Sequence, residues 1–364
     1  MLQYLKDWYT RKFSDPDAVT LFLLLVTSFA VIIFFGDILA PIIVALVLAY
    51  LLEWPVQRLL QTGLPRLTSV LVVYTGFIGV FIILLLFMVP VIWQQTVTLV
   101  AELPQMLSQL KVLLNRLPEM FPGYISEANI NHYVQSTTEK LLAFGENLLS
   151  QSLSRLVAAM ALLIYLIVVP LLVFFMLKDK RQLLDHINAI LPNNRRLISQ
   201  VSDEMNLQIM NYIRGKAVEV VIVGVVSYLC FTLFDLRYAL LLGVLVGFSV
   251  LIPYIGAAVV TLPVMLVALF QFGWSAMFAW VMIAYLVIQA LDGNVLVPLL
   301  FSEVVNLNPV YIIAAVLVFG GFWGFWGVFF AIPLASLVKA VITALRSPLT
   351  MATETKLADQ EANS

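Results

Sequence analysis

A chain of 364 residues in which 62% are hydrophobic and only 11% are charged differs from a soluble domain, where about a quarter of the residues are charged. The net charge of −1 gives no indication of a nucleic-acid partner, and the single cysteine, Cys230, excludes a disulfide framework. Several apolar runs are nearly long enough to cross a bilayer, so we expect an all-α, polytopic helical membrane protein without a nucleic-acid partner.

The first 92 residues predict an interfacial segment followed by transmembrane helices 1–3. Residues 1–18 carry aromatic and basic residues, which are typical of a segment lying on the cytoplasmic membrane surface. The second apolar run spans only ~22 Å at about 1.5 Å per residue, short of a ~30 Å hydrocarbon core. It therefore either thins the bilayer or forms a half-span. The expected spans are residues 19–35, 38–52 and 68–92 within the segment 19–92, with a tight turn at Gly36 and Asp37.

Residues 93–152 predict an extramembrane insert. Leucines recur at helical spacing, which indicates amphipathic helices, and Pro104, Pro118 and Pro122 are expected to break them. Acidic residues outnumber basic ones, which favours the extracytoplasmic side. The insert could lie on the membrane, cover a pore mouth or bind neighbouring subunits.

Transmembrane helix 4 is predicted over residues 153–177, with a kink at Pro170. The following segment, 178–216, is the most basic part of the chain and is therefore predicted to be cytoplasmic. It contains two amphipathic helical patterns separated by residues 192–194, and the second pattern leads directly into the fifth span.

Residues 217–346 predict transmembrane helices 5–8, with a broken helix 6. Within the apolar stretch 247–263, Pro253, Gly256 and Pro263 interrupt the helical pattern. A freed backbone group inside a bilayer is tolerated only within protein or beside a water-filled cavity, so a kinked or re-entrant path is expected. Broken helices of this kind often form substrate sites, and the alternative is a packing kink in a structural helix.

The remaining spans of this region are predicted over residues 276–291 and from 309 to about 345. The second of them carries a glycine-aromatic cluster whose spacing favours close helix packing. A disordered tail is expected over 347–364. This count gives eight crossings with both termini in the cytoplasm.

Polar residues cluster around the short apolar piece between Asp292 and the next span. A charge inside the membrane is costly and usually has a function or a partner. If residues 295–301 form a re-entrant hairpin, these groups could bind a polar solute or a cation, or exchange a proton. Otherwise they belong to a solvated outer loop. The candidates are Gln289, Asp292, Asn294, Glu303 and Asn306.

Two further residues have two readings each, and a third is read as part of an ion pair. Tyr254 could direct its hydroxyl into a cavity or pack as a core aromatic residue. Arg214 could form part of a cytoplasmic gate or simply lie where a helix enters the membrane. Glu219 follows Lys216 by three residues, which places both on one helix face and favours an interfacial ion pair.

The sequence carries no enzyme signature. It has no glycine-rich nucleotide loop and no metalloprotease histidine pair, and its two histidines lie outside the spans. We expect neither catalysis, nor a cofactor, nor a metal site.

Four blocks of the sequence together resemble the autoinducer-2 exporter family, and in particular its PerM-type permeases. They are Asn-Tyr-Ile-Arg-Gly-Lys at 211–216, Leu-Ile-Pro-Tyr-Ile-Gly at 251–256, Gln-Ala-Leu-Asp-Gly-Asn at 289–294 through Pro298, and Gly-Val-Phe-Phe-Ala-Ile-Pro-Leu-Ala at 327–335. The resemblance covers nearly the whole chain.

The resemblance implies a multi-pass protein of the bacterial inner membrane with about eight helices. It also implies a helical insert between spans three and four and a homo-oligomer, with a pentamer as the candidate assembly. Its motif positions fall on Arg214, Pro253, Tyr254, Gly256, Asp292, Asn294 and Pro298.

Three functions follow as hypotheses. The first is a secondary transporter that exports a small polar solute, of which autoinducer-2 is the family example. The second is a Na⁺(Li⁺)/H⁺ antiporter on the same scaffold. The third is a membrane scaffold without transport activity, whose insert binds envelope proteins.

Overall fold

The structure is a computed structural model, and it describes residues 16–114, 135–136, 139, 152–190, 196–301 and 308–341. Every regular element within these residues is helical, which confirms the predicted all-α class. Most of the interfacial segment 1–18, most of the insert 93–152, residues 192–194 and the tail 347–364 lie outside the described residues.

The described helices divide into long apolar ones and short ones. Six helical stretches are long and apolar enough to cross a membrane, which confirms a polytopic membrane protein; the count of eight crossings stays a prediction. In chain order the helices are α1 (Pro16–Gln61), α2 (Arg66–Leu114), α3 (Ser152–Lys178), α4 (Lys180–Ile190), α5 (Arg196–Leu233), α6 (Ala239–Ser249), α7 (Ile255–Phe272), α8 (Ala276–Leu291), α9 (Val297–Phe301), α10 (Pro309–Phe329) and α11 (Ala331–Val341).

The chain forms two compact units. Unit 1 contains Met1–Leu71, Val169–Lys216 and Phe301–Ser364, and unit 2 contains Val72–Val168 and Ala217–Leu300. Each unit is therefore assembled from segments that are distant in sequence.

The predicted turn at Gly36 and Asp37 is supported by contacts on both sides of it. Leu21 lies in one buried cluster with Met205, while Tyr50 OH donates to the adjacent Asn206 at 2.8 Å, so the two halves of α1 fold back on each other between these residues. Gly36 also supports packing, because a Cβ atom there would overlap the indole ring of Trp323. The helix break predicted at Pro104 is wrong, because α2 continues through Pro90 and Pro104 as far as Leu114. Each proline costs one backbone hydrogen bond, which a long helix absorbs as a local distortion.

The predicted break in the sixth span is confirmed, and the chain folds back there as a helical hairpin. Helix α6 ends at Ser249 and α7 begins at Ile255, while Pro263 lies inside α7 without ending it. The far ends of the two helices meet: Gln271 Nε2 donates to the Asp235 carbonyl at 2.7 Å, and the Arg237 N–H donates to Gln271 Oε1 at 2.7 Å. The chain therefore enters and leaves on one side, and we call residues 239–272 hairpin 1.

The two arms of hairpin 1 differ in length. At about 1.5 Å per residue, the 11 residues of α6 extend about 16 Å and the 18 residues of α7 about 27 Å, so the tip, residues 250–254, lies well away from the open end. Gly256 closes the tip, because a Cβ atom there would overlap the carbonyl of Ser249. At Gly247, a Cβ atom would lie 2.9 Å from the Cα of Gly224, so α6 and α5 also approach closely.

The predicted last span is also a hairpin. Gly324 has φ 57° and ψ −134°, which interrupts α10, and Phe330 separates α10 from α11. The two arms pack together, since Ala315 and Val316 share a buried cluster with Ala331. A Cβ atom at Gly327 would overlap the Phe319 backbone, which explains part of the glycine cluster. We call residues 309–341 hairpin 2.

The apolar piece after Asp292 is neither a re-entrant hairpin nor a loop. Residues Asp292–Leu296 form one π-helical turn, and α9 continues the helix to Phe301. The Val297 N–H donates to the Asp292 carbonyl, which is the wider π spacing. Pro298 explains this π-helical turn. In a regular helix residue 298 would donate to the Asn294 carbonyl, but proline has no N–H to donate and its ring would collide with that carbonyl.

The outer end of hairpin 1 is tied to helix α2. Tyr238 OH donates to Glu102 Oε2 at 2.8 Å, Arg237 Nη1 lies 3.5 Å from the same oxygen, and the Leu241 N–H donates to Gln95 Oε1 at 2.9 Å. Burial, with the hydrogen bond to Glu102 and its charge, raises the pKa of Tyr238 to about 12. The extension of α2 thus holds hairpin 1 at its open end.

Replacing Gly256 with alanine should destabilise hairpin 1. The added methyl group meets backbone, which cannot rotate away, so we expect a loss of about 1–3 kcal/mol in unfolding free energy. The measurement is thermal unfolding of the purified protein in detergent. Gly79→Ala is the matched control, because nothing lies within 4 Å of that position and alanine favours helix. Equal midpoints for both variants would contradict the packing described at the tip.

Glu102→Gln should lower the pKa of Tyr238 toward its ordinary value near 10, because the carboxylate charge disappears. In the native chain the phenol proton stabilises the fold below about pH 10, and this contribution is lost between about pH 10 and 12. Alkaline titration of tyrosinate absorbance, with Tyr238→Phe identifying the signal, measures the shift. Glu204→Gln serves as the control, because Glu204 is exposed. If Tyr238 titrated identically in Glu102→Gln and in the native protein, this would contradict the contact between Tyr238 and Glu102.

Candidate functional site

The predicted residues Pro253, Tyr254 and Gly256 lie at the tip of hairpin 1 and the start of α7. Tyr254 has φ 61°, an uncommon conformation for a residue with a side chain, and its side chain is 60% exposed. It is therefore not a core aromatic residue of the described chain. Gly256 is buried and Pro253 is half-buried.

Helices α7 and α8 share a polar contact within unit 2. Tyr285 is fully buried, and its hydroxyl lies 2.9 Å from Thr261 Oγ1 and 3.2 Å from the carbonyl of Ala257. Thr261 Oγ1 also donates to the Ala257 carbonyl at 2.7 Å. These hydroxyl groups lie one to two turns from the start of α7, next to the tip of hairpin 1.

Gln289 and Asp292 continue this contact along α8. They follow Tyr285 by four and seven residues, which places all three on one helix face. The Gln289 side chain approaches the Tyr285 hydroxyl, but its buried Nε2 lacks a hydrogen bond of good geometry. One carboxylate oxygen of Asp292 is buried as well. We call Thr261, Tyr285, Gln289 and Asp292 the polar face.

The polar face extends along α8 toward the tip of hairpin 1. The α7–α8 turn joins antiparallel helices, and Tyr285 already lies level with Ala257, two residues after the start of α7. The next two turns of α8 therefore bring Gln289 and Asp292 to the depth of residues 250–254. Asp292 is the one charged residue between Tyr238 and Phe301 in the sequence.

The other residues predicted around Asp292 do not join this face. Asn294 is exposed and its Nδ2 donates to the Ala290 carbonyl of its own helix at 2.8 Å. Pro298 is exposed in α9, where it shapes the π-helical turn. Glu303 and Asn306 lie outside the described residues.

Arg214, the predicted gating residue, lies in unit 1 within electrostatic range of Glu53. Glu53 is 7% exposed and accepts hydrogen bonds from Gln57 Nε2 at 2.6 Å, Arg66 Nη2 at 3.3 Å and Lys180 Nζ at 3.0 Å. These five residues form the Glu53 cluster. Arg66 Nη2 also donates to the Leu177 carbonyl at 2.6 Å, at the end of α3.

Lys216 and Glu219, predicted as an interfacial pair, are both buried in α5, at 6% and 1% exposure. Lys216 Nζ lies 5.3 Å from the centre of the Phe301 ring, a cation–π distance. Its neighbour Gly215 is required there, because a Cβ atom would lie 2.5 Å from that ring. Tyr212, fully buried, donates to the Phe329 carbonyl at 2.7 Å, so the 211–216 motif packs against hairpin 2.

Sequence reasoning missed Thr261, Tyr285 and the role of Glu53. The periodicity of α8 held a signal for Tyr285, since it precedes Gln289 by one turn. No comparable signal existed for Thr261 or Glu53, because their partners lie 24 and 127 residues away.

The polar face offers hydroxyl, amide and carboxylate groups at membrane depth. Such a set can donate to and accept from a neutral hydroxylated solute, and its carboxylate can hold a cation or a proton. A small number of convergent polar side chains among apolar ones is typical of a binding site.

Comparison with known proteins identifies the family. Residues 22–347 match the model of the AI-2E family transporters. The protein named "Putative permease PerM" in Escherichia coli K12 is 51% identical over 344 residues, covering 94% of this chain and 98% of that protein. The "AI-2 transport protein TqsA" of the same strain is 24% identical over 85% of this chain and 86% of its own. "Putative transport protein YueF" of Bacillus subtilis 168 is 29% identical over 85% and 84%. The chain therefore belongs to the AI-2E family of membrane transporters.

Proposed function

We propose that this protein is a secondary transporter that exports a small polar solute, with hairpin 1 as a moving gate over the polar face. The relative named as an AI-2 transport protein supports a solute of that size and polarity. The proposal includes a homo-oligomer in a bacterial inner membrane with both termini cytoplasmic.

One observation carries the proposal: the non-helical tip of hairpin 1 and a polar helix face meet within unit 2, among helices that the proposal places in the membrane. Backbone that is not helical within a membrane is tolerated only inside protein or beside water. Transporters use such broken helices to build substrate sites near the midplane. Thr261, Tyr285, Gln289 and Asp292 supply the side-chain groups that a purely structural break would not need.

The open end of hairpin 1 belongs, in this proposal, to the extracytoplasmic face. The basic segment 178–216 favours a cytoplasmic start for α5. Helix α5 has 38 residues, about 57 Å, which is enough to cross the bilayer before Asp235. Glu102, Arg237 and Tyr238 then hold the hairpin from the extracytoplasmic side.

Hairpin 2 would open toward the cytoplasm. Ala340, near its end, shares a buried cluster with Ile198, Val201 and Met205 from the start of α5. That part of α5 belongs to the basic segment. A hairpin entering from the cytoplasm supplies unit 1 with a second candidate gate, which alternating access requires.

Asp292→Asn should reduce export of the solute. Removing a charged hydrogen-bonding partner costs about 1.5–3 kcal/mol, so we expect about a tenfold or greater rise in KM. Comparing the metabolites retained by a deletion strain and its parent identifies the solute. The rate of solute uptake into inside-out vesicles then measures export by each variant. Tyr285→Phe should weaken transport in the same direction through the loss of one hydroxyl.

The matched control is Asn294→Ala, in the same π-helical turn. Its side chain is exposed and bonded to its own helix, so transport should remain close to that of the native protein. Unchanged flux in Asp292→Asn, or equal loss in Asn294→Ala, would remove the polar face from the transport path.

A Na⁺(Li⁺)/H⁺ antiporter is the second candidate, and the lone carboxylate favours it. Asp292 is the single charged group between residues 238 and 301, and a carboxylate can bind a cation and a proton in alternation. Proteoliposomes with an imposed pH gradient test this function. Cation-dependent collapse of the gradient, abolished by Asp292→Asn, would support it; a flat response to Na⁺, Li⁺ and K⁺ would dispose of it.

A further inference from the structure

We propose that the Glu53 cluster and helix α4 form a binding site for the phosphate headgroup of an anionic phospholipid. All the residues of this site lie in unit 1. The proposal is independent of the transported solute and of the polar face.

The Glu53 cluster carries an excess of positive charge. One carboxylate, Glu53, faces the cations Arg66, Lys180 and Arg214, which leaves two positive charges uncompensated within the cluster. The side chains of Arg66 and Lys180 are 32% and 43% exposed, so part of each charged group remains accessible. An ammonium group has three donors and a guanidinium group has five, and phosphate oxygens are strong acceptors for both.

Helix ends at this cluster contribute charge of both signs. Helix α2 starts at Arg66 and α4 starts at Lys180, and the N-terminus of a helix carries a partial positive charge. Helix α1 ends at Gln61 and α3 ends at Lys178, and these C-termini carry partial negative charge, which Arg66 meets through its hydrogen bond to the Leu177 carbonyl. The positive potential of the cluster therefore comes from its side chains.

Helix α4 supplies a separate observation that indicates lipid. It has 11 residues, and its apolar side chains are exposed: Leu183 at 44%, Leu184 at 48% and Ile187 at 56%. A short helix with exposed leucines and a basic start is typical of one that lies in the membrane interface. Immersing Leu183, Leu184 and Ile187 at the acyl boundary would place Lys180 at the level of the headgroups.

Aromatic residues mark the same interface at the end of α1. Trp54 is 49% exposed, next to Glu53 in sequence, and the guanidinium of Arg58 lies 5.2 Å from its ring centre. Exposed tryptophan with arginine is characteristic of the headgroup region. Basic pockets among transmembrane helices on the cytoplasmic side bind anionic headgroups, which matches this combination of charge and position.

The experiment measures which lipid the purified full-length protein retains. The protein is exchanged into micelles with equal amounts of phosphatidylglycerol and phosphatidylcholine of identical acyl chains, and native mass spectrometry counts the bound lipids. We expect phosphatidylglycerol to be enriched. Lys180→Gln should reduce the enrichment about fivefold, in line with the usual contribution of one basic residue near an anionic surface.

Two variants control for charge and folding. Lys339→Gln removes one exposed positive charge from α11, outside the cluster, and should leave the enrichment unchanged. Lys180→Arg keeps the positive charge and should therefore keep the enrichment of phosphatidylglycerol. If Lys180→Gln does not fold, Arg66→Lys tests the same site through the loss of the guanidinium fork.

An added arm with excess inorganic phosphate separates the lipid from a free anion. Retention of phosphatidylglycerol in its presence supports a lipid site, because the acyl chains contribute to binding at α4. Displacement of the lipid by phosphate alone would assign the site to a free phosphate and overturn the lipid proposal. Equal retention of phosphatidylglycerol and phosphatidylcholine by the native protein would also overturn it.

Discussion

The fold depends on satisfying backbone groups where the chain turns between apolar helices. Hairpin 1 turns at residues 250–254 and hairpin 2 near Gly324. Glycine makes both turns compact, since a side chain at Gly256 or Gly327 would overlap backbone. Each unit therefore contains one helical hairpin, held together by close contact between its two arms.

This constraint also explains where polar side chains are found. Tyr285 and Thr261 bond to each other and to the first turn of α7, so they stabilise the start of the returning arm. Gln289 and Asp292 extend the same face along α8, and the Gln289 side chain approaches the Tyr285 hydroxyl. This concentration of amide, hydroxyl and carboxylate groups next to the tip is the physical basis for assigning the face a ligand. The π-helical turn at Asp292 adds a local irregularity of the kind often found at functional sites.

Charge is handled differently in the two units. In unit 2 the carboxylate of Glu102 joins helix α2 to the open end of hairpin 1 through Tyr238 and Arg237. In unit 1 a single buried carboxylate, Glu53, gathers cations from the starts of α2 and α4. Breaking a largely buried pair leaves an uncompensated charge, so Glu53 is a structural requirement as well as part of an anion site.

The sequence by itself determined the helical membrane class, the interruption beside Pro253, the basic segment and the helical spacing of Gln289 and Asp292, because composition, proline chemistry and helical spacing are local properties. It did not determine that α6 and α7 fold back, that Gly324 divides the last apolar run, or that Asp292 opens a π-helical turn within a continuing helix. Only the tertiary structure brought Thr261 to Tyr285 and Lys180 to Glu53. Those pairings depend on which helices pack together, and one apolar helix face resembles another until shape and hydrogen bonding across long separations select its neighbour.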